Sequence, residues 1–304
     1  MTGGFRLESD SQMKKTILIF LTSFLTLSGA QALTNSEPAL SDDWQSLVFI
    51  KTEALGDDQL PATSLCNATL VSNRLLVTAA HCLQHAYVLN QPLLDVEVGR
   101  YKYMTRPTGE KVRVGYVPFL KAQIPARFVF APALRARFDR QKLRAKIGPQ
   151  EDLALIFLET PLALAADFPF AKVLPQEYLK GLSGRWVQHW PTVVTINFAE
   201  YMSGTDYKQM GTLDQVTEKS GGYLESRSRS RVRPGDSGAP LFIRVGNQWY
   251  LSAVVKGQAK TIFSDWDVYT LLDTKICALA QELPGLAVQE ILCPKAKVYS
   301  RPND

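Results

Sequence analysis

VTAAHC at residues 77–82 decides the reading of this chain, together with EDLALIFL at 151–158 and RPGDSGAPL at 233–241. The first closes an apolar run, Leu75–Thr78, too short for a helix and suited to a buried strand. In the second, Asp152 heads another such run, Leu153–Phe157. In the third, Gly235-Asp236-Ser237-Gly238 reads as a turn entering Leu241–Val245. Outward from these, Ser46–Ile50, Ala68–Val71, Leu94–Val98 and Lys111–Tyr116 are apolar or alternating and bounded by turn residues, as are Trp186–Val187, Val193–Phe198 and Trp249–Val255. Thr160–Lys180 carries prolines and no periodicity, and it marks a boundary between two halves. Leu272–Leu283 has helical spacing and is stopped by Pro284-Gly285. Many short strands with one final helix suggest two β-barrels rather than alternating strands and helices.

The three segments, in this order and with Cys66 sixteen positions before Cys82, resemble the chymotrypsin/trypsin family over residues 44–283. Asp42-Asp43-Trp44-Gln45, Trp249–Val255 and Asp267–Thr270 resemble further strands of that family. The resemblance implies an all-β fold of two six-stranded antiparallel barrels with a C-terminal helix. It divides the chain into a leader at 1–32, a first barrel within 33–165 holding His81 and Asp152, and a second within 166–304 holding Ser237. The implied chemistry is peptide hydrolysis. A serine hydroxyl is a weak nucleophile and needs an adjacent base. An imidazole with an ordinary pKa of about 6.5 can take and return a proton near neutrality. The family's roles fall on Ser237 as nucleophile, His81 as base and Asp152 as the carboxylate that orients it, with the N–H groups of Gly235 and Ser237 as oxyanion hole. The order His, Asp, Ser separates this pattern from other serine hydrolases.

Departures from the family pattern bear on mechanism. The cysteine that relatives carry four residues before the serine is Arg233 here. The substrate-binding edge, usually Ser-Trp-Gly, reads Lys256-Gly257-Gln258, which removes the serine that supports the aspartate. By the same resemblance Arg231, Lys256, Gln258 and Asp267 line the primary substrate pocket. Opposite charges in a partly dry pocket attract, so Arg231 and Asp267 are expected to pair and to disfavour selection of Lys or Arg.

The chain's 304 residues are 46% hydrophobic and 21% charged, with net charge +5, the balance of a globular protein. No zinc-finger, P-loop or dinucleotide fingerprint occurs, and neither cofactor, metal nor nucleic acid is implied. From Met13 the chain reads MKKTILIFLTSFLTLSGAQA, the charged, apolar and small-residue parts of a signal peptide ending at Ala32. Its apolar run, Ile17 to Leu27, is shorter than the roughly 20 residues that span a bilayer. A secreted or periplasmic monomer acting on proteins or peptides, without stable membrane insertion, is therefore expected. Four cysteines in an exported chain allow three disulfide connectivities. The family's histidine-loop bridge matches Cys66–Cys82, which leaves Cys277–Cys293, a pair without a family counterpart.

Residues 100–146 hold thirteen Lys or Arg against Glu110 and Asp139. They read as a solvated insertion loop or short surface helix, or as an exosite for an anionic surface. SRSRSRVR at 226–233 reads as a solvated loop, and Asn67-Ala68-Thr69 matches a glycosylation sequon. Leu33, the terminus left by cleavage after Ala32, is a candidate partner for Asp236. Two other functions fit the same sequence: a chymotrypsin-fold binding protein with impaired catalysis, and a cationic surface-binding factor.

Overall fold

β-Branched and alternating runs become strands wherever a partner strand is in reach, and in the first half they close on themselves. The computed structural model describes residues 37–38, 44–55, 61–109, 111–178, 193–198, 208–213, 216–228, 231–260, 265–283 and 285–295. The leader, Leu33 and His189 lie outside these. Strands β2 (Leu47–Leu55), β3 (Pro61–Leu70), β4 (Leu75–Thr78), β5 (Leu93–Thr105), β6 (Lys111–Phe130) and β7 (Ala154–Leu158) form a closed antiparallel barrel in the order β2-β3-β4-β7-β6-β5. All four residues of β4 are buried, which is why its sequence runs apolar rather than alternating.

The second half holds β8 (Val193–Phe198), β9 (Lys208–Leu213), β10 (Val216–Lys219), β11 (Tyr223–Ser226), β12 (Pro240–Val245), β13 (Gln248–Lys260) and β14 (Asp265–Leu271). With the two-residue β1 (Glu37–Pro38), they pair as an eight-stranded antiparallel sheet, β1-β9-β8-β12-β13-β14-β11-β10. The mostly β architecture with a C-terminal helix is as expected. Among the described residues, the strands of the second half pair as this eight-stranded sheet, whose ends are β1 and β10.

One apolar cluster fills the first barrel and continues into Phe242, Leu251 and Val254 of β12 and β13. Trp44 packs on Phe242 and Trp249, with ring centroids 5.2 and 5.3 Å away. A second cluster, including Leu224, Leu241, Val255 and Tyr269, fills the other half.

The basic stretch is neither a loose loop nor a helix alone. It comprises the end of β5 and all of β6, which pair from Leu93↔Pro125 to Thr105↔Lys111, and then α2 (Pro132–Gln141). Pro118 and Pro125 look like strand breakers, yet β6 runs through both. It pairs with β7 only from Ala126 onward, so among the described residues one side of β6 has no partner strand before that and a proline's missing N–H is tolerated. Leu134 and Phe138 bury one face of α2, with the Phe138 ring edge-on to Phe130 at 5.1 Å. The short α1 (Gln84–Val88) follows the histidine turn.

The C-terminal helix α3 runs Asp273–Gln281, within the predicted span. A further helix, α4 (Leu286–Leu292), forms where the sequence suggests only a tail. Both expected disulfides are present, Cys66–Cys82 and Cys277–Cys293, with Cα atoms 6.0 and 5.4 Å apart. The second ties α3 to the end of α4. Among the described residues no helix is long and apolar enough to cross a membrane.

Candidate active site

Of the residues singled out by the three segments, His81 and Asp152 meet at the end of the barrel, and the loop of Ser237 lies against β3 beside them. β4 ends at Thr78, and the chain turns through a short helical turn, Ala80–Cys82, that presents His81. The turn is held from below by the Cys66–Cys82 disulfide and by the buried Thr52, whose hydroxyl donates to the Cys82 carbonyl at 3.2 Å. β7 pairs with β4, Thr78 opposite Ala154, so the residue two before Ala154 arrives beside the histidine turn. That residue is Asp152. Its carboxylate is fully buried and contacts His81 twice, accepting from the backbone N–H at 2.8 Å and lying 2.7 Å from Nδ1.

Burial raises the Asp152 pKa, but the charge and hydrogen bond of His81, the Lys256 ammonium and the His81 backbone N–H together outweigh it. The net effect holds the carboxyl below its usual range. Lys256, expected along the substrate edge, turns its Nζ to Asp152 Oδ2 at 3.1 Å and to the Ile147 carbonyl at 3.0 Å.

Ser237 is brought to the same place by its loop. Asn67 donates its backbone N–H to the Ser237 carbonyl at 2.8 Å and its side-chain Nδ2 to the Gly235 carbonyl, also at 2.8 Å. Gly238 donates to the Val255 carbonyl at 2.9 Å. A Cβ on Gly238 would collide with the Asn67 carbonyl and Thr78 Oγ1, and its φ is +76°. Only glycine lets the serine loop sit this close to the barrel. Gly235 adopts φ +99°. Among the described residues the N–H groups of Gly235 and Ser237 have no protein acceptor.

Asn67 is the site residue that sequence reasoning missed. It was visible only as a sequon, and it is buried with its amide already donated to Gly235. Its place immediately after the bridged Cys66 was the available signal.

The chain matches the family described as Trypsin over residues 34–273. It belongs to the trypsin family. The coarse consequence is a trypsin-like serine protease fold, to which the barrel, the second sheet and the disulfides conform. No curated protein matches the chain.

Of the residues expected from the trypsin-family pattern to line the substrate pocket, Arg231, Gln258 and Asp267 form a cluster of their own. Arg231 Nε donates to Asp267 Oδ1 at 3.2 Å, the pairing expected from the sequence, and Val232 N–H donates to Oδ2 at 3.1 Å. The side chain of Gln258 is a further partner. Burial still raises the Asp267 carboxyl against the pull of all three. Arg231 Nη2 and the Tyr269 hydroxyl are buried there without a partner among the described residues. Asp236 is buried and accepts the Arg233 backbone N–H at 2.7 Å. The 226–233 stretch is not simply solvated, since Ser226 and Ser228 are buried and their hydroxyls lie 2.8 Å apart. Cys66, His81 and Cys82 cluster as metal ligands could, but both sulfurs are spent in the disulfide.

Proposed function

We propose that this chain is an exported serine endopeptidase that cleaves peptide bonds through an acyl-enzyme. The observation that carries the reading is the double contact between His81 and the buried Asp152 carboxylate. With Nδ1 engaged by Asp152, Nε2 is the nitrogen left to act as base toward Ser237. The Ser237 proton passes to Nε2 as Oγ bonds to the scissile carbonyl carbon. The negative oxygen of the tetrahedral intermediate is met by the N–H groups of Gly235 and Ser237. The imidazolium formed on His81 is stabilised by Asp152 and returns its proton to the leaving amine as the C–N bond breaks. A water then repeats the sequence, losing its proton to His81 as it attacks the acyl carbon; the proton returns to Ser237 Oγ as the peptide acid is released. Export is supported by the Lys14-Lys15 leader with Ala30-Gln31-Ala32 and by two disulfides, which persist in oxidising compartments.

Labelling with a fluorophosphonate probe tests the reading. The wild-type chain is expected to react at Ser237 and Ser237→Ala to lose both label and peptide hydrolysis, the latter by about four to six orders of magnitude. A folded wild-type chain that takes no label, or full hydrolysis by Ser237→Ala, overturns it.

A further inference from the structure

β13 and β14 pair Val255 with Tyr269 and then Gly257 with Val268, so Lys256 is the extra residue of a β-bulge. A bulge leaves its residue out of the ladder and re-aims its side chain. Here it aims a four-carbon stem away from the substrate edge, and the ammonium ends on the same Asp152 oxygen that faces His81 Nδ1. The second hydrogen bond of Nζ, to the Ile147 carbonyl, fixes the ammonium in place. Ile147 lies five residues before Asp152, so one side chain grips both ends of the approach to the aspartate.

A hydroxyl in this position would donate a hydrogen bond and nothing more. An ammonium adds a full positive charge in a partly dry site, where screening by solvent is weak. When His81 takes up a proton, two cations share Asp152 Oδ2. Glu151, the neighbour of Asp152, is itself held by a bidentate pair with Arg137 of α2 at 2.6 and 2.7 Å.

We propose that Lys256 is a positioning residue of the catalytic site. Its ammonium fixes the Asp152 carboxylate toward His81, and its charge opposes protonation of the imidazole. The inference rests on His81 being the base, and it extends that reading to the pH range in which the base works.

The test is an NMR titration of the His81 imidazole in the full chain, compared with Lys256→Ser and Lys256→Met. With three histidines in the chain, the His81 resonance is assigned from its absence in His81→Gln. Removal of one cation at this range is expected to move the His81 midpoint upward by about one pH unit in both variants. The acid limb of kcat/KM should move upward with it. Serine restores a donor without charge and methionine restores neither, so a charge effect must appear in both. A midpoint that stays put in both variants, or that moves in only one, overturns the proposal. The titration reads the imidazole whether or not the chain cleaves peptides. Its failure is therefore distinct from a failure of Ser237 to take the fluorophosphonate.

Discussion

Replacing Gly238 by alanine adds a single methyl group at the seam between the serine loop and the barrel. Two costs follow. At φ +76° an alanine is strained by about 1–2 kcal/mol, because its Cβ crowds the following carbonyl. The methyl also enters the space of the Asn67 carbonyl and Thr78 Oγ1, atoms already bonded to each other at 2.7 Å. Neither can yield without disturbing the strand that donates to the Ser237 carbonyl. Overpacking of this kind costs about 1–3 kcal/mol. The sum is about 2–5 kcal/mol of stability. Gly246 supplies the control, since it has φ +61° and open space around a Cβ, so Gly246→Ala incurs the strain alone. The assay is urea unfolding of the full chain and both variants with disulfides intact. At a slope of about 2 kcal/mol per molar urea, the midpoint of Gly238→Ala should fall about 0.5–1.5 M below that of Gly246→Ala. Hydrolysis should fall as well, by about 100-fold for a displacement of Ser237 near 1 Å. Equal midpoints for the two variants would refute the close approach as the reason for glycine.

The Asp152 carboxyl is held below its usual range in the folded chain, so it contributes stability that is complete above about pH 4, the unfolded-state value, and that fades as pH falls through the lower folded value. In unfolding measured against pH, the advantage of wild type over Asp152→Asn should therefore be constant near neutrality and shrink below pH 4; an advantage that grows on acidification contradicts the assignment. A peptide-library cleavage profile should show no selective cleavage after Lys or Arg, because Arg231 occupies Asp267. Arg231→Gln, which leaves Asp267 without that cation, should raise the preference for Lys or Arg by on the order of tenfold, about 1.4 kcal/mol, and an unchanged profile would remove Asp267 from the substrate pocket.

The parts of the fold that were legible are those in which local sequence and global partner agree. Leu75–Thr78 is apolar throughout because every residue of β4 is buried, so its limits could be read directly. Leu272–Leu283 buries Ile276, Leu279 and Ala280 on one side, a helical pattern independent of anything distant. The Arg231–Asp267 pair was legible because two opposite charges were assigned to one pocket. What stayed hidden depends on partners far along the chain. Pro118 and Pro125 break a strand that is paired on both sides, and the sequence does not say that β6 has only β5 beside it there. Asn67 looks like any sequon until the loop 168 residues later is laid against it. Lys256 reads as the loss of a serine because nothing local says that a bulge will turn it toward an aspartate 104 residues away.

Distant contacts of the kind Lys256 makes gather on one segment, and they explain the end of the basic insertion better than charge alone does. Between α2 and β7 the chain must bring Asp152 to the histidine turn with only one short 3-10 turn, Lys142–Arg144, of its own. Gln84 Nε2 donates to the Lys142 and Ala145 carbonyls at 3.2 and 3.1 Å. Arg137 donates to the Lys146 carbonyl at 2.8 Å, Lys256 to Ile147, and Thr270 Oγ1 to the Pro149 carbonyl at 2.7 Å. Five carbonyls in eight residues are thus held by α1, α2, β13 and β14, which is how an irregular segment meets the requirement that its polar groups be paired. The cations of the insertion accordingly divide by position. Arg135 and Arg137 brace α2 against Glu282 and Glu151, whereas Arg140, Lys142, Arg144 and Lys146 remain exposed. An anionic surface could meet this second group without disturbing the support of Asp152. Neutralising Arg137 would act first on the aspartate, whereas the exposed four could be neutralised without touching its support.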